Sequence, residues 1–271
     1  MTKTIMLIHG AWLNSKSWER WKAHYEQKGF RVVAPDWPFN DRNPAELRAS
    51  PHPQLAKTGV KAIVDHYERQ IQALPEEPIL IGHSAGGVWV QQLLDRGLGV
   101  AGVAIDPAPT TGVPLGPHSI VSAAPALFAW NGWNRSLQMT RKFFATRFAQ
   151  TVPTRAEADA LYERYIVPTA GKVYWDGVVS SEGKIRWNNA NRAPLLLIGG
   201  GRDLIADASM TKAIYERQKQ APSKTELRIF PERSHWTCMD PGWEEVADLA
   251  LDWSLANMRR SKTLVFPIAA A

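Results

Sequence analysis

Short apolar runs alternate along this chain with longer stretches in which apolar residues return every three or four positions. A run bounded by turn formers predicts a buried strand, and the longer spacing predicts an amphipathic helix. Residues 4–8, 31–34, 79–81, 100–105, 194–198 and 225–230 read as strands. A helix is expected from Ser17 to Lys28, with Trp18, Trp21 and Tyr25 on one face and Gly29 past its end. Another opens at Thr58 and carries Val60, Ile63, Val64, Tyr67 and Ile71. Helices also follow over 88–95, 209–218 and 243–257, while the prolines of 37–57 predict mostly loop.

Strand and helix in alternation predict an α/β protein: a mostly parallel sheet with helices on both faces. Residues 107–190 break the rhythm with five prolines before Leu127 and then a run of helices, one of them near 154–165. The expected division is a core of residues 1–113 and 191–258, with 114–190 inserted as a helical cap. Residues 259–271 fit no core element and read as a tail, a candidate for disorder.

Composition narrows the class. The chain has 271 residues, enough for one large domain with an insertion, and its 45% apolar and 21% charged content is that of a globular protein. The net charge of +6 would suit a nucleic-acid binder, but Lys and Arg are interleaved with Asp and Glu, without a long basic block. A solvated basic surface and no nucleic-acid partner are expected. The single cysteine, Cys238, excludes an intrachain disulfide. No signal-peptide apolar region and no membrane-length run is present, which predicts a cytoplasmic protein with no membrane partner.

The chemistry gathers where the strands end, since ligands of open parallel sheets bind beyond the C-terminal ends. Gly82-His83-Ser84-Ala85-Gly86 follows an apolar run and precedes a helical pattern. This is the spacing of a nucleophile elbow, a sharp strand-to-helix turn that lifts the serine above the sheet and leaves no room for side chains two residues away. Other strand ends carry His9-Gly10-Ala11, Asp106, Asp203 and His235. A serine hydroxyl needs a base, and His235 can serve; the histidine needs a carboxylate on its second nitrogen. Asp203, in a glycine-rich turn, is the better candidate. Asp106 is the runner-up, because Pro107 should hold it extended and suit it to fixing the cap entry. The N–H groups of Ala11 and Ala85 are the candidate oxyanion donors. His9 and His83 are expected to be structural hydrogen-bonders, and Asp36 and Asp207 capping or turn residues. There is no HExxH, CxxC or calcium-loop pattern, so no metal is expected.

In His9-Gly10-Ala11-Trp12, Gly82-His83-Ser84-Ala85-Gly86-Gly87, Gly200-Gly201-Arg202-Asp203 and Ser234-His235-Trp236 the chain resembles the α/β-hydrolase superfamily, in particular its small esterase-like members with a His-Gly-x-Trp-type loop. The resemblance implies a cofactor-free site under a cap and the catalytic set Ser84, Asp203 and His235. Ser84 in place of an aspartate sets the chain apart from haloalkane dehalogenases and epoxide hydrolases. The aromatic insertion, with Phe128, Trp130, Trp133, Phe143, Phe144 and Phe148, should pack mainly against the core and partly line an apolar pocket. Trp12, Trp130, Trp133, Phe144 and Trp236 are the candidate pocket residues. The expected partner is a small-molecule ester with an apolar acyl or alcohol part, cleaved through an acyl-enzyme. Lactone or C–C bond hydrolysis with the same triad, and a non-catalytic ligand-binding version of the fold, are the alternatives.

Overall fold

A computed structural model describes residues 2–178 and 180–260. Elements are numbered in chain order. Strands β1 (Thr4–Ile8), β2 (Arg31–Val33), β3 (Ile79–His83) and β4 (Ala101–Ile105) lead to a two-stranded ribbon of β5 (Ser136–Leu137) and β6 (Thr169–Ala170), followed by β7 (Leu195–Gly200) and β8 (Thr225–Phe230). All but the ribbon form one parallel sheet in the order β2-β1-β3-β4-β7-β8. The order reverses between β1 and β3, which opens a crevice at the C-terminal ends of these two strands.

β1, β3 and β4 are buried along their whole length, which is why they read as unbroken apolar runs. Alternate residues nevertheless feed two different cores. Ile5, Leu7, Ile81, Val103 and Ile198 pack with Trp21 and Tyr25 of α1 (Glu19–Gln27) and Val246 and Leu251 of α10 (Trp243–Asn257). Met6, Ile8, Leu80, Ala104 and Leu197 pack with Ile63 and Tyr67 of α3 (Val60–Gln72), Val90 and Leu93 of α4 (Ala85–Asp95) and Ile214 of α9 (Ala208–Gln218). The expected apolar face of α3 is the buried one, but the helix begins at Val60, behind Gly59, rather than at Thr58. α1 likewise starts later than expected, after a 3-10 turn (Ser15–Trp18) capped by Asn14.

The stretch expected as loop holds α2 (Pro44–Ala49) and a 3-10 turn (Pro53–Lys57). Both prolines stand at the first helical position, where the missing N–H removes nothing, and Asn43 and His52 cap the turns. Proline there starts the helix instead of excluding it.

Between β4 and β7 lie α5 (Pro117–Leu127), α6 (Arg141–Phe143) running into a π turn (Phe144–Phe148), α7 (Arg155–Tyr165) and α8 (Gly171–Val178). This insertion is fastened to the loop after β1. The Trp12 carbonyl accepts the Val167 N–H at 2.9 Å, and Trp12 Nε1–H donates to the Tyr174 hydroxyl at 2.6 Å. Arg259 is tied to the core by its N–H on the Val100 carbonyl; the rest of the expected tail, 261–271, lies outside the described residues. No helix among the described residues is long and apolar enough to cross a membrane.

Candidate active site

At the reversal of strand order, β3 leads directly into Ser84, the residue before α4, with φ 56° and ψ −122°. A non-glycine residue in such a conformation stores about 1–3 kcal/mol, and the surroundings hold it there. The Ser84 N–H donates to the Ile105 carbonyl at 2.9 Å, and its carbonyl accepts from Gly87 at 2.9 Å and Ala108 at 3.0 Å. A Cβ on Gly82 would overlap the Gly86 carbonyl, and one on Gly86 would overlap the carbonyl of Ile8. The bracketing glycines are therefore steric necessities of the turn.

The loop after β1 closes on the serine, with His9 as its brace. The buried ring accepts the Trp37 N–H on Nε2 at 3.2 Å, which assigns the proton to Nδ1, 2.9 Å from the Gly10 carbonyl. Burial drives the His9 pKa down to about 4, against the pull of Asp36. It is neutral and structural. Neither the Ala11 N–H nor the Ala85 N–H has a hydrogen-bond partner among the described residues. Ala85 is the first residue of α4, where no intrahelical acceptor exists.

His235 Nδ1 lies 2.7 Å from Asp203 Oδ2, with both side chains fully buried. The other Asp203 oxygen accepts the N–H groups of Ile205 at 2.6 Å and Ala206 at 2.8 Å, so the glycine-rich turn fixes the carboxylate. The His235 carbonyl accepts His83 Nε2–H at 2.8 Å; burial pushes His83 well below the usual histidine range and keeps it neutral. Burial also opposes charge on His235, but the Asp203 charge and hydrogen bond outweigh it, and its pKa is raised above 6.5. His235 Nε2 is buried and has no hydrogen-bond partner. The nitrogen suited to take a proton is free.

Asp106 closes the far side of this cluster. Its backbone is left-handed, φ 44°, not extended as the following proline predicts. Oδ1 accepts the Gly200 N–H at 2.6 Å, so Asp106 braces the end of β7 rather than the entry to the insertion. Oδ2 has no hydrogen bond, since the nearby Thr237 hydroxyl donates to the Ser234 carbonyl. Burial, reinforced by the Asp203 charge, lifts its pKa to about 7. His83, Asp106 and His235 bring ligand-type atoms within 4.8 Å of one another. Their bonds to the His235 carbonyl, to Gly200 and to Asp203 make the set a hydrogen-bond network.

A cavity of about 310 Å³ opens above Ser84, Ala11 and Ala85, with largely apolar walls. Of the candidate pocket residues, Trp12 is on the wall. Trp130 is 89% exposed and Trp133 faces a shallow depression with Lys57 and Trp175, because the turn after α5 carries them outward. Phe144 is fully buried against Trp236 and Tyr162, and Trp236 is itself buried, packing on Phe148 and Tyr165. Phe143, Phe148 and Tyr174 take the wall positions instead. Phe148 sets its edge on the His235 ring, with centroids 4.7 Å apart. The sequence held no signal for Tyr174, whose place depends on its bond to Trp12 across the insertion. Burial raises its hydroxyl pKa to about 12, so it stays a neutral hydrogen-bonding group.

Comparison with known proteins places this geometry. No curated protein sequence matches the chain. Solved structures do: the monoacylglycerol lipase of Paleococcus ferrophilus is 23% identical with a TM-score of 0.65, over 93% of this chain and 94% of that one. A pyrethroid hydrolase from Sphingobium faniae is 18% identical with a TM-score of 0.62, over 92% and 98%. A methylesterase from Arabidopsis is 14% identical with a TM-score of 0.62, over 93% and 99%. At these identities the likeness is one of fold. The model of the alpha/beta hydrolase family matches residues 5–249, nearly the whole of the sheet, the elbow and the histidine loop just described, and the chain therefore belongs to the alpha/beta hydrolase family.

Proposed function

We propose that this protein is a serine hydrolase that cleaves carboxylic esters with an apolar acyl or alcohol part through an acyl-enzyme. One observation carries the reading: a buried Asp203–His235 pair leaves Nε2 free, at the sheet edge where the elbow presents Ser84 to an apolar cavity. Ser84 Oγ attacks the ester carbonyl while His235 Nε2 takes its proton. Asp203 holds the Nδ1–H and stabilises the imidazolium. The unpaired N–H groups of Ala11 and Ala85 receive the oxyanion, a contribution of about 3 kcal/mol for each donor. Collapse of the tetrahedral intermediate returns the proton to the departing alcohol. Water, deprotonated by His235, then releases the acid and restores Ser84.

Residues 114–190 act as the cap, and Phe143, Phe148 and Tyr174 shape the pocket for the apolar part. That relatives of the same fold are a monoacylglycerol lipase, a methylesterase and a pyrethroid hydrolase supports an ester as substrate. The test is a series of nitrophenyl esters of increasing acyl length, with lactones and β-diketones alongside. Hydrolysis of medium-chain esters, abolished in Ser84→Ala with unchanged folding, is expected. Turnover confined to diketones, or esterase activity that survives Ser84→Ala, would contradict the proposal.

A further inference from the structure

Helix α5 is oriented the wrong way round for an ordinary surface helix. It buries Ser119, Ser122, Ala123 and Ala126 and turns Ile120 and Val121 outward, each more than half exposed. The chain leaving it adds Phe128 and Trp130, 87% and 89% exposed. The spacing 120, 124, 128 puts one apolar stripe along the outer face. The orientation is locked by hydrogen bonds. Ser119 N–H and Oγ–H donate to Asp207 Oδ2 at 2.8 and 2.7 Å, and Ser122 Oγ–H donates to the Leu204 carbonyl at 2.7 Å. The inner face of the same helix lines the cavity above Ser84. An apolar surface of this kind marks an interaction site.

The unpaired charge beside the stripe is basic. From Pro107 to Ala156 the chain contains no Asp or Glu and carries Arg135, Arg141, Lys142, Arg147 and Arg155; Arg141 and Arg155 are paired with Glu163 and Asp159, whereas Arg135 and Arg147 make their hydrogen bonds at the stripe itself. Arg147 sits beside α5, donating to the His118 carbonyl at 3.1 Å and Ser122 Oγ at 2.7 Å. Arg135 donates to the Trp130 carbonyl at 3.4 Å. These acceptors are neutral, and among the described residues neither guanidinium is in an ion pair. A second copy docking on this face would bring two basic rims together, which disfavours self-association. An aromatic and aliphatic stripe edged by Arg and Lys suits an anionic lipid surface instead, where the rings enter the headgroup region and the cations meet phosphate.

We propose that the outer face of α5 and the Phe128–Trp130 turn dock this protein on an anionic lipid surface, without spanning it. The sequence reading expects no membrane partner; a peripheral contact would depart from that expectation. Docking would set the lipid on the opposite side of α5 from the cavity. That the ester is drawn from the lipid rests on the esterase reading; the docking itself does not.

Co-sedimentation with sucrose-loaded vesicles tests it. Equal parts of phosphatidylglycerol and phosphatidylcholine should bind the protein, and phosphatidylcholine alone should bind it much less. Phe128→Ser with Trp130→Ser should lower partitioning by at least about tenfold, on the scale of burying two large side chains at an interface. Arg135→Gln should lower it by about fivefold, the weight of one basic group near an anionic surface. Circular dichroism and hydrolysis of a short soluble ester should be unchanged in all variants. Absence of vesicle binding, equal binding to neutral vesicles, or undiminished binding by the double variant would overturn the proposal. So would a concentration-dependent dimer that the double variant abolishes, which would assign the face to self-association. Retained Ser84 chemistry without vesicle binding would overturn the docking and leave the esterase reading standing.

Discussion

Two buried carboxylates stand beside His235, but only Asp203 is hydrogen-bonded to it. Replacing an orienting carboxylate leaves the imidazole in the wrong tautomer, at a cost of up to about 10⁴ in kcat. Asp203→Asn should therefore lose at least about a hundredfold in kcat, while Asp106→Asn, which keeps an acceptor for Gly200, should lose far less. The reverse order, with both variants folded, would move the acid to Asp106. The pH dependences differ as well. The base must be neutral, and the His235 pKa is raised, so kcat/KM should fall as pH drops through a midpoint above 6.5. For Asp106 the folded pKa of about 7 lies above the ordinary 3.8. Its contribution to stability is complete below pH 3.8 and is lost as pH rises through 7. Urea unfolding should thus favour the wild type over Asp106→Asn more at pH 5 than at pH 8. Ser84 and Asp203 were legible in the sequence because each follows an unbroken apolar run, and His235 because it follows the last strand pattern. The geometry of Asp106 was not: Pro107 argues for extended backbone, and only the surrounding strands impose φ 44°.

The same division between local and tertiary causes runs through the elements. Strands and core helices follow from apolar spacing and appear within a few residues of their expected bounds. In the insertion the helix expected near 154–165 appears as α7, but the arrangement of its helices was not legible, because they are oriented by bonds to distant partners. Asp207 is the instructive case. Expected as a cap or turn residue, it makes no side-chain cap on its own α9 and instead receives the Ser119 N–H at the start of α5. Asp207→Ala should lower stability by about 1–2 kcal/mol, the value of a good cap, measured by urea unfolding. The fold of the insertion also decides which aromatics line the cavity. Phe143 lines the cavity, whereas Trp130 stands outside it. Phe143→Ala should shift the preference towards bulkier acyl groups and change kcat/KM for the acetate less than for the longer esters. Trp130→Ala should leave the ranking of soluble esters unchanged. An altered ranking in Trp130→Ala would mean that the turn folds inward over the mouth.

At the scale of the molecule, the parallel sheet supplies the frame and its switch point supplies the place. β1 and β3 deliver the two unpaired N–H groups and the serine to one crevice, β7 brings Asp203, and the loop after β8 brings His235. The proposed chemistry requires Ser84 to be an activated nucleophile. Incubation with a fluorophosphonate, followed by intact-mass analysis and peptide mapping, measures this directly. A single adduct on Ser84 is expected, formed in step with loss of ester hydrolysis, absent from Ser84→Ala and strongly slowed in Asp203→Asn. An unmodified folded protein, or an adduct on another residue that tracks the loss of activity, would contradict it.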